Sequence, residues 1–231
     1  LKAKGIKPDY VAGLSLGEYS ALTYGHAFEI QDAIEIVRKR GMIMAKALPA
    51  GTTGMIAVMN TDASLIQDTI KDIENVSIAN YNCPTQIVIT GTNEALAIAS
   101  EKLKEAGARR LIPLKVSGAF HSPLLKDAAL ELEEVLRSYP IYQMDIPVVY
   151  NITGKEENID LIDILTKQIQ SSVYFYPSIE YMIEKGVDTF IEIGPGKALS
   201  GFVKKTNKEV KVMNVEDLKS LQKVLEDLGY E

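Results

Sequence analysis

One cysteine, two histidines and no long apolar run mark this 231-residue chain by what it lacks. Cys83 on its own cannot close an intramolecular disulfide, and with only His26 and His121 beside it there is no Cys/His cluster at metal-ligand spacing. A structural zinc site is thereby excluded. No segment approaches the ~18 consecutive apolar residues of a membrane span, and the first residues lack the basic-then-apolar layout of a secretory signal. The expectation is a cytoplasmic protein with no membrane partner. Basic charge is also scarce: 25 Lys and Arg stand against 31 Asp and Glu, a net −6, which argues against nucleic acid as a partner because phosphate contacts need a basic surface. Internal repeats and low-complexity linkers are absent.

What the chain does have is an ordinary globular composition, 46% hydrophobic and 24% charged, long enough to bury a large core. At ~150 residues per domain the length fits one principal domain carrying a smaller insert. The chain opens on Leu1 and reaches its best motif almost at once, which reads as a start partway into a longer protein.

Residues 9–13 read as a short buried strand and 15–24 as a helix, together a strand, a sharp turn and a helix. Ile30, Ile34, Val37, Met44 and Leu48 then recur at helical spacing until Pro49 and Gly51, with Arg40 at the edge of that stripe. Next comes the order strand 54–59, helix 62–73, strand 76–80, strand 86–90, helix 93–106, strand 109–116. This βαββαβ order predicts a ferredoxin-like subdomain, helices on one face of a small antiparallel sheet.

After it, Ser122 can cap a helix with Pro123 at its first position and Leu125, Ala128, Ala129, Leu132 and Leu136 on its apolar face. Strands are expected at 147–150, 188–193 and 210–215, and helices at 159–170, 177–185, after Gly194-Pro195-Gly196 and at the end as far as 228. Strands alternating with helices imply a mostly parallel sheet covered on both faces. The reading is therefore an α/β-hydrolase-like core of residues 1–52 and 117–231, with 53–116 inserted as the small subdomain.

Gly13-Leu14-Ser15-Leu16-Gly17 is a G-x-S-x-G sequence with a strand before it and a helix after it, the context that gives the pattern chemical meaning. Glycines allow the tight turn, the serine oxygen projects from it, and the helix N-terminus with the Leu16 N–H faces developing negative charge. Read alone, the same residues also fit a glycine-rich turn whose serine is only a cap. A serine nucleophile needs a base within hydrogen-bond reach. His26 lies at the far end of the helix, whereas His121, in Ser117-Gly118-Ala119-Phe120-His121-Ser122, sits in a turn between a strand and a capped helix. No acidic residue stands out as a third member, so a backbone carbonyl or an amide is the alternative for orienting His121. The nearby helix end is expected to disfavour imidazolium and keep the base neutral.

These residues resemble the malonyl-CoA:acyl-carrier-protein transacylases and the related acyltransferase domains of fatty-acid and polyketide synthases. The resemblance rests on Gly13-Leu14-Ser15-Leu16-Gly17-Glu18-Tyr19-Ser20-Ala21, Arg40-Gly41 with Met44, Ala79-Asn80-Tyr81-Asn82, Gly118-Ala119-Phe120-His121-Ser122, Gln168 before Ser171-Ser172-Val173, and Glu192-Ile193-Gly194-Pro195-Gly196. It implies that Ser15 is acylated and that His121 is its base and then acid. It also implies that Arg40 holds the malonate carboxylate, and that Gln168 matches the glutamine whose surroundings orient the histidine and line the pocket. A guanidinium suits that carboxylate through two parallel charge-assisted hydrogen bonds; without the motif, Arg40 would read as a surface residue beside Arg38 and Lys39. The partners implied are malonyl-CoA and acyl carrier protein, with the coenzyme A thioester as substrate and no metal or redox cofactor.

The chain departs from the family's pattern in having Leu14 where a histidine usually precedes the nucleophile, and in showing no Gly-Gln-Gly-x-Gln segment ahead of Ser15. That segment supplies a second oxyanion donor. Two rivals remain: an esterase or thioesterase of the α/β-hydrolase kind, and an inactive fragment that binds the carrier protein. Cys83 reads as an inert turn residue and Gly194-Pro195-Gly196 as a tight turn. Five lysines against Glu209 over 197–211 fit either a carrier-protein docking face or a solvated surface, and Arg109-Arg110 is a shorter candidate of the same kind.

Overall fold

A two-residue strand, β1 (Val11–Ala12), leads through Ser15 into α1 (Leu16–Tyr24), and Gly25 ends that helix before α2 (Ile30–Lys46). The computed structural model describes residues 1–230. A βαββαβ segment follows: β2 (Thr53–Met59), α3 (Ala63–Ile70), β3 (Val76–Cys83), β4 (Gln86–Thr92), α4 (Asn93–Glu105) and β5 (Arg110–Pro113). The remainder comprises α5 (Lys126–Arg137), β6 (Val148–Val149), α6 (Leu161–Gln168), α7 (Phe175–Glu184), β7 (Thr189–Ile193), α8 (Ala198–Thr206), β8 (Lys211–Val215) and α9 (Leu218–Asp227).

The four insert strands form one antiparallel sheet in the order β3-β4-β2-β5, the ferredoxin-like arrangement. Side-chain alternation along its strands decides which face each helix covers. Val58, Ile78, Ile87 and Ile89 pack with Ile66 and Ile70 of α3 and Leu96, Ala99 and Leu103 of α4. On the opposite face Met55, Ala57, Ala79 and Val88 pack beside Phe120. Each fully buried Ile or Leu here contributes roughly 1.5–3 kcal/mol of transfer free energy.

Outside the insert the strands pair in parallel, β1 with β6 and β7 with β8, so the parallel part consists of two separate pairs. Leu22, Ile36, Leu125, Leu132, Leu136, Ile164 and Leu165 join α1, α2, α5 and α6 in the largest apolar cluster. The insert sheet is tied to the other part of the chain beside α6: the Tyr81 N–H donates to the Val173 carbonyl at 2.8 Å, and the Val173 N–H to that of Ala79 at 2.8 Å. This contact sets the path of the chain just after Gln168.

The buried face of α2 differs from the expected stripe. Ile30 and Ile34 are 64% and 65% exposed, and the inward face runs instead through Ala33, Ile36, Arg40 and Ile43. Apolar spacing alone counted the two exposed isoleucines, whereas the helix turned Arg40 inward, where it finds partners. The helix expected from Ser122 starts as a single 3-10 turn, Pro123–Leu125, capped by Ser122, whose Oγ accepts from the Leu124 N–H at 3.3 Å; α5 begins after it.

Candidate active site

Ser15 stands at the N-cap position of α1 without capping it through its side chain, at φ 52° and ψ −101°, a conformation that residues with a Cβ rarely adopt. The tightness of the turn explains one motif glycine and not the other. A Cβ on Gly13 would overlap the Gly17 carbonyl group, while a Cβ on Gly17 would meet nothing within 4 Å. The Leu16 N–H, at the first position of α1, has no acceptor among the described residues. It is therefore a free donor beside the serine oxygen, in a residue whose side chain is largely exposed.

Three side chains converge on Ser15 from distant parts of the chain, two of them on Oγ. His121 Nε2 lies 2.8 Å away, and Arg40 Nη2 donates to the same oxygen at 2.9 Å. Gln168 reaches the serine backbone, its Nε2 donating to the Ser15 carbonyl at 2.9 Å. Proton positions follow from donor and acceptor chemistry. His121 Nδ1 lies 2.9 Å from the Gln168 carbonyl, which can only accept, so Nδ1 carries the proton and Nε2 is bare. Ser15 Oγ, already accepting from Arg40, donates its own proton to that bare nitrogen. This is the arrangement a general base requires.

His121 is thus oriented by a backbone carbonyl, one of the two alternatives the sequence left open. Its own N–H donates to the Ile169 carbonyl at 3.0 Å, so both attachments lie in the segment held by the insert sheet. The histidine is 4% exposed, and burial lowers its pKa to about 4, with the Arg40 charge adding to that effect. Burial, not the helix end invoked from the sequence, is the principal cause that disfavours the imidazolium.

Arg40 is 6% exposed, not a surface residue. Burial lowers its pKa, yet a guanidinium keeps its proton, and here it lies 5.4 Å from the Tyr19 ring centroid and donates through Nη2 to Gln168 Oε1 at 3.1 Å. Its Nε–H is buried, and the Tyr19 hydroxyl is the side-chain group that interacts with the guanidinium besides Ser15 and Gln168.

Two further buried residues complete the site, and sequence reading gave neither a role. Glu18 is fully buried in the first turn of α1, its Oε1 accepting from the Asn151 N–H at 2.7 Å and its Oε2 from Gln168 Nε2. Asn151 places Oδ1 2.6 Å from the Ser15 N–H and Nδ2 2.6 Å from the Gly13 carbonyl. Glu18 lay inside a quoted motif, but an acid in a first helical turn ordinarily faces water; Asn151 belonged to no motif.

The other candidates lie elsewhere. His26 is exposed, with Nδ1 3.0 Å from Asp145 Oδ2. Cys83 is buried, its Sγ 3.4 Å from Thr85 Oγ1. Gly194 and Gly196 form a turn after which Glu192 caps α8, accepting from the Leu199 and Ser200 N–H groups. Within 197–211, Lys197 pairs with Glu216 at 3.4 Å and Lys211 Nζ donates to the Asp227 carbonyl at 2.9 Å, so part of that charge is engaged locally. Among the described residues there is no group of three or more His, Cys, Asp or Glu able to hold a metal ion, and no helix long and apolar enough to cross a membrane.

A serine held against a neutral histidine at a strand-to-helix turn, with a buried guanidinium on the same oxygen, defines a site of the acyl-transfer class. Comparison with known proteins places the chain more narrowly. Residues 1–228 match the acyl transferase domain model, and the chain belongs to that family. It is 46% identical over 236 aligned positions to a malonyl CoA-acyl carrier protein transacylase of Bacillus subtilis strain 168, covering 100% of this chain and 74% of the relative. A crystal structure of the protein of that name from Clostridium perfringens superposes with a TM-score of 0.96 at 46% identity, over 99% of this chain and 74% of that one. A structure of a type II PKS acyl-carrier protein in complex with its malonyl-transacylase matches with a TM-score of 0.94 at 36% identity, over 98% of this chain and 75% of that one.

Proposed function

We propose that this protein transfers a malonyl group from coenzyme A to the phosphopantetheine thiol of an acyl carrier protein through an acyl-Ser15 intermediate. The observation that carries the reading is the meeting of His121 Nε2 and Arg40 Nη2 on Ser15 Oγ. In the first half-reaction the Ser15 hydroxyl passes its proton to His121 Nε2 as Oγ bonds to the thioester carbonyl carbon. The carbonyl oxygen takes the electron pair and is met by the Leu16 N–H. Collapse expels the coenzyme A thiolate, which recovers the proton from His121. The carrier thiol then gives its proton to His121, attacks the acyl-serine carbonyl, and Ser15 leaves with the proton returned.

Arg40 is the group that holds the malonyl carboxylate, and what supports this role is a guanidinium set beside Ser15 Oγ, a permanent cation with several donors. Gln168 holds the guanidinium and the serine carbonyl together. The malonyl thioester enters as substrate, and these steps use no metal or redox cofactor. We place the protein in the cytoplasm. We also propose the division into a core of residues 1–52 and 117–231 and a small subdomain of 53–116. It is supported by an apolar cluster drawn from the insert alone but for partly buried Tyr176.

Intact mass after incubation with malonyl-CoA tests the reading. The wild-type protein gains one malonyl group, Ser15→Ala gains none, and Arg40→Ala shifts competition loading from malonyl toward acetyl by ~10-fold or more, the scale of one lost charge-assisted hydrogen bond. Adduct on Ser15→Ala, or release of the acyl group to water faster than to a thiol, would overturn it; the second outcome would favour a thioesterase.

A further inference from the structure

Ser15 is held at every polar atom, and two of the residues responsible touch none of the reacting atoms. A residue with a Cβ at φ 52° and ψ −101° is strained by about 1–3 kcal/mol, so its surroundings must impose that conformation. Asn151 brackets the turn from both sides, accepting from the Ser15 N–H and donating to the Gly13 carbonyl, each at 2.6 Å. Its amide can sit only one way round, because reversal would set donor against donor and acceptor against acceptor. Val149 of β6 pairs with Ala12 of β1, so the same parallel pair delivers both the turn and the asparagine that grips it.

Glu18 acts one step further out. The Gln168 NH₂ faces two acceptors, Glu18 Oε2 and the Ser15 carbonyl, which forces Gln168 Oε1 toward Arg40, where it accepts from Nη2 at 3.1 Å. The other carboxylate oxygen accepts from the Asn151 N–H at 2.7 Å, joining the two residues in one fully buried unit. With an amide in place of the carboxylate, one of these acceptors becomes a donor, and the sense of Gln168 is no longer determined.

We propose that Glu18 and Asn151 are positioning residues for acyl transfer: Asn151 holds the Ser15 turn in its reactive conformation, and Glu18 sets the sense of the Gln168 amide and so places Arg40. The inference deepens the malonyl-transfer reading and rests on it for the role of Arg40.

The two residues differ in what they hold, and this gives the test. Asn151→Ser removes the grip on the turn and leaves Gln168 and Arg40 in place. Acylation of Ser15 by malonyl-CoA should slow ~10²-fold, the effect of misplacing a reacting atom, with the malonyl-over-acetyl preference kept. Glu18→Gln should slow acylation roughly 10-fold to 100-fold and also lower that preference. General loosening would lower both readouts in both variants, whereas the proposal keeps the preference in Asn151→Ser and lowers it in Glu18→Gln. The proposal is overturned if folded Asn151→Ser acylates within about threefold of wild type, or if Glu18→Gln keeps the wild-type preference. Labelling of Ser15 by a fluorophosphonate is followed in parallel. If wild type takes the fluorophosphonate and not malonate, the substrate reading fails, while a ~10²-fold slower label on Asn151→Ser still supports the clamp and an unchanged rate still removes it.

Discussion

The layer of side chains beneath Ser15 and the core of the insert sheet are both buried, yet they are built from opposite materials. Under Ser15 lie Glu18, Arg40, His121, Asn151 and Gln168, none more than 7% exposed. Between the insert sheet and its helices lie Ile66, Ile70, Ile78, Ile87, Ile89 and Leu103, all aliphatic and essentially inaccessible. The aliphatic core gains stability from every methylene it removes from water. The polar layer is a net drain on stability unless each donor finds an acceptor, because an unpaired buried group costs about 1–3 kcal/mol and a buried charge more. Its persistence makes sense only through what it does to Ser15, and the comparison teaches where activity and stability are stored separately.

Three variants sharpen or break that separation. The largest effect is expected from His121→Ala, which should lower acylation by ~10²–10⁴-fold, the range for a general base. The same variant carries a pH signature. Wild-type His121 has a folded pKa of about 4 against an ordinary 6.5, so the unfolded chain binds more protons between those values. That contribution is intact above about 6.5 and is lost as pH falls toward 4. Urea midpoints should therefore shift in favour of His121→Ala over this window, by an amount equivalent to a few kcal/mol, on the order of 1.4 kcal/mol per unit. A constant gap between the two proteins from pH 7 to about 4 would contradict the buried neutral base. Glu18, raised to about 7 mainly by burial, slopes the opposite way, favouring the folded state at low pH, and is unchanged in the subtraction.

Ile89→Ala is the reverse case. Truncating a fully buried isoleucine of β4 should cost about 2–5 kcal/mol in denaturant unfolding while the acylation rate per folded molecule stays as it was. A rate loss larger than the folded fraction explains would show that the two regions are coupled through the Tyr81 and Val173 backbone contact. The smallest effect belongs to Gly17→Ala. Open space around this helical glycine predicts a change within ~1 kcal/mol, in the stabilising direction, since alanine is the better helix former. A strong loss there would show that the second motif glycine serves substrate approach.

Much of the site was legible because its signals are local. Turn chemistry marked Ser15, and the scarcity of histidine pointed to His121, since His26 sits at the other end of α1. Strand and helix periods in residues 53–116 gave the ferredoxin-like order, with β3 extending three residues further than its expected end at 80. Other features were hidden for a common reason. The inward turn of Arg40 depends on acceptors that lie 25 and 128 positions away in Ser15 and Gln168. The apolar stripe on α2 misread Ile30 and Ile34, because periodicity counts apolar residues without knowing which face meets a neighbour. Asn151 acts through its side-chain amide on a turn 136 positions earlier, and an asparagine in a loop carries no pattern of its own.

From its residues alone the chain determined the elements, their order, the strained turn that exposes a serine, and the histidine available to serve it, because propensity, period and turn chemistry act over a few neighbouring positions. Only the tertiary structure decided which carbonyl orients that histidine, which way the Gln168 amide points, and that Glu18, Arg40 and Asn151 are buried together. Hydrogen-bond partners are chosen by distance and by the exclusion of water, and both exist only once remote segments have packed.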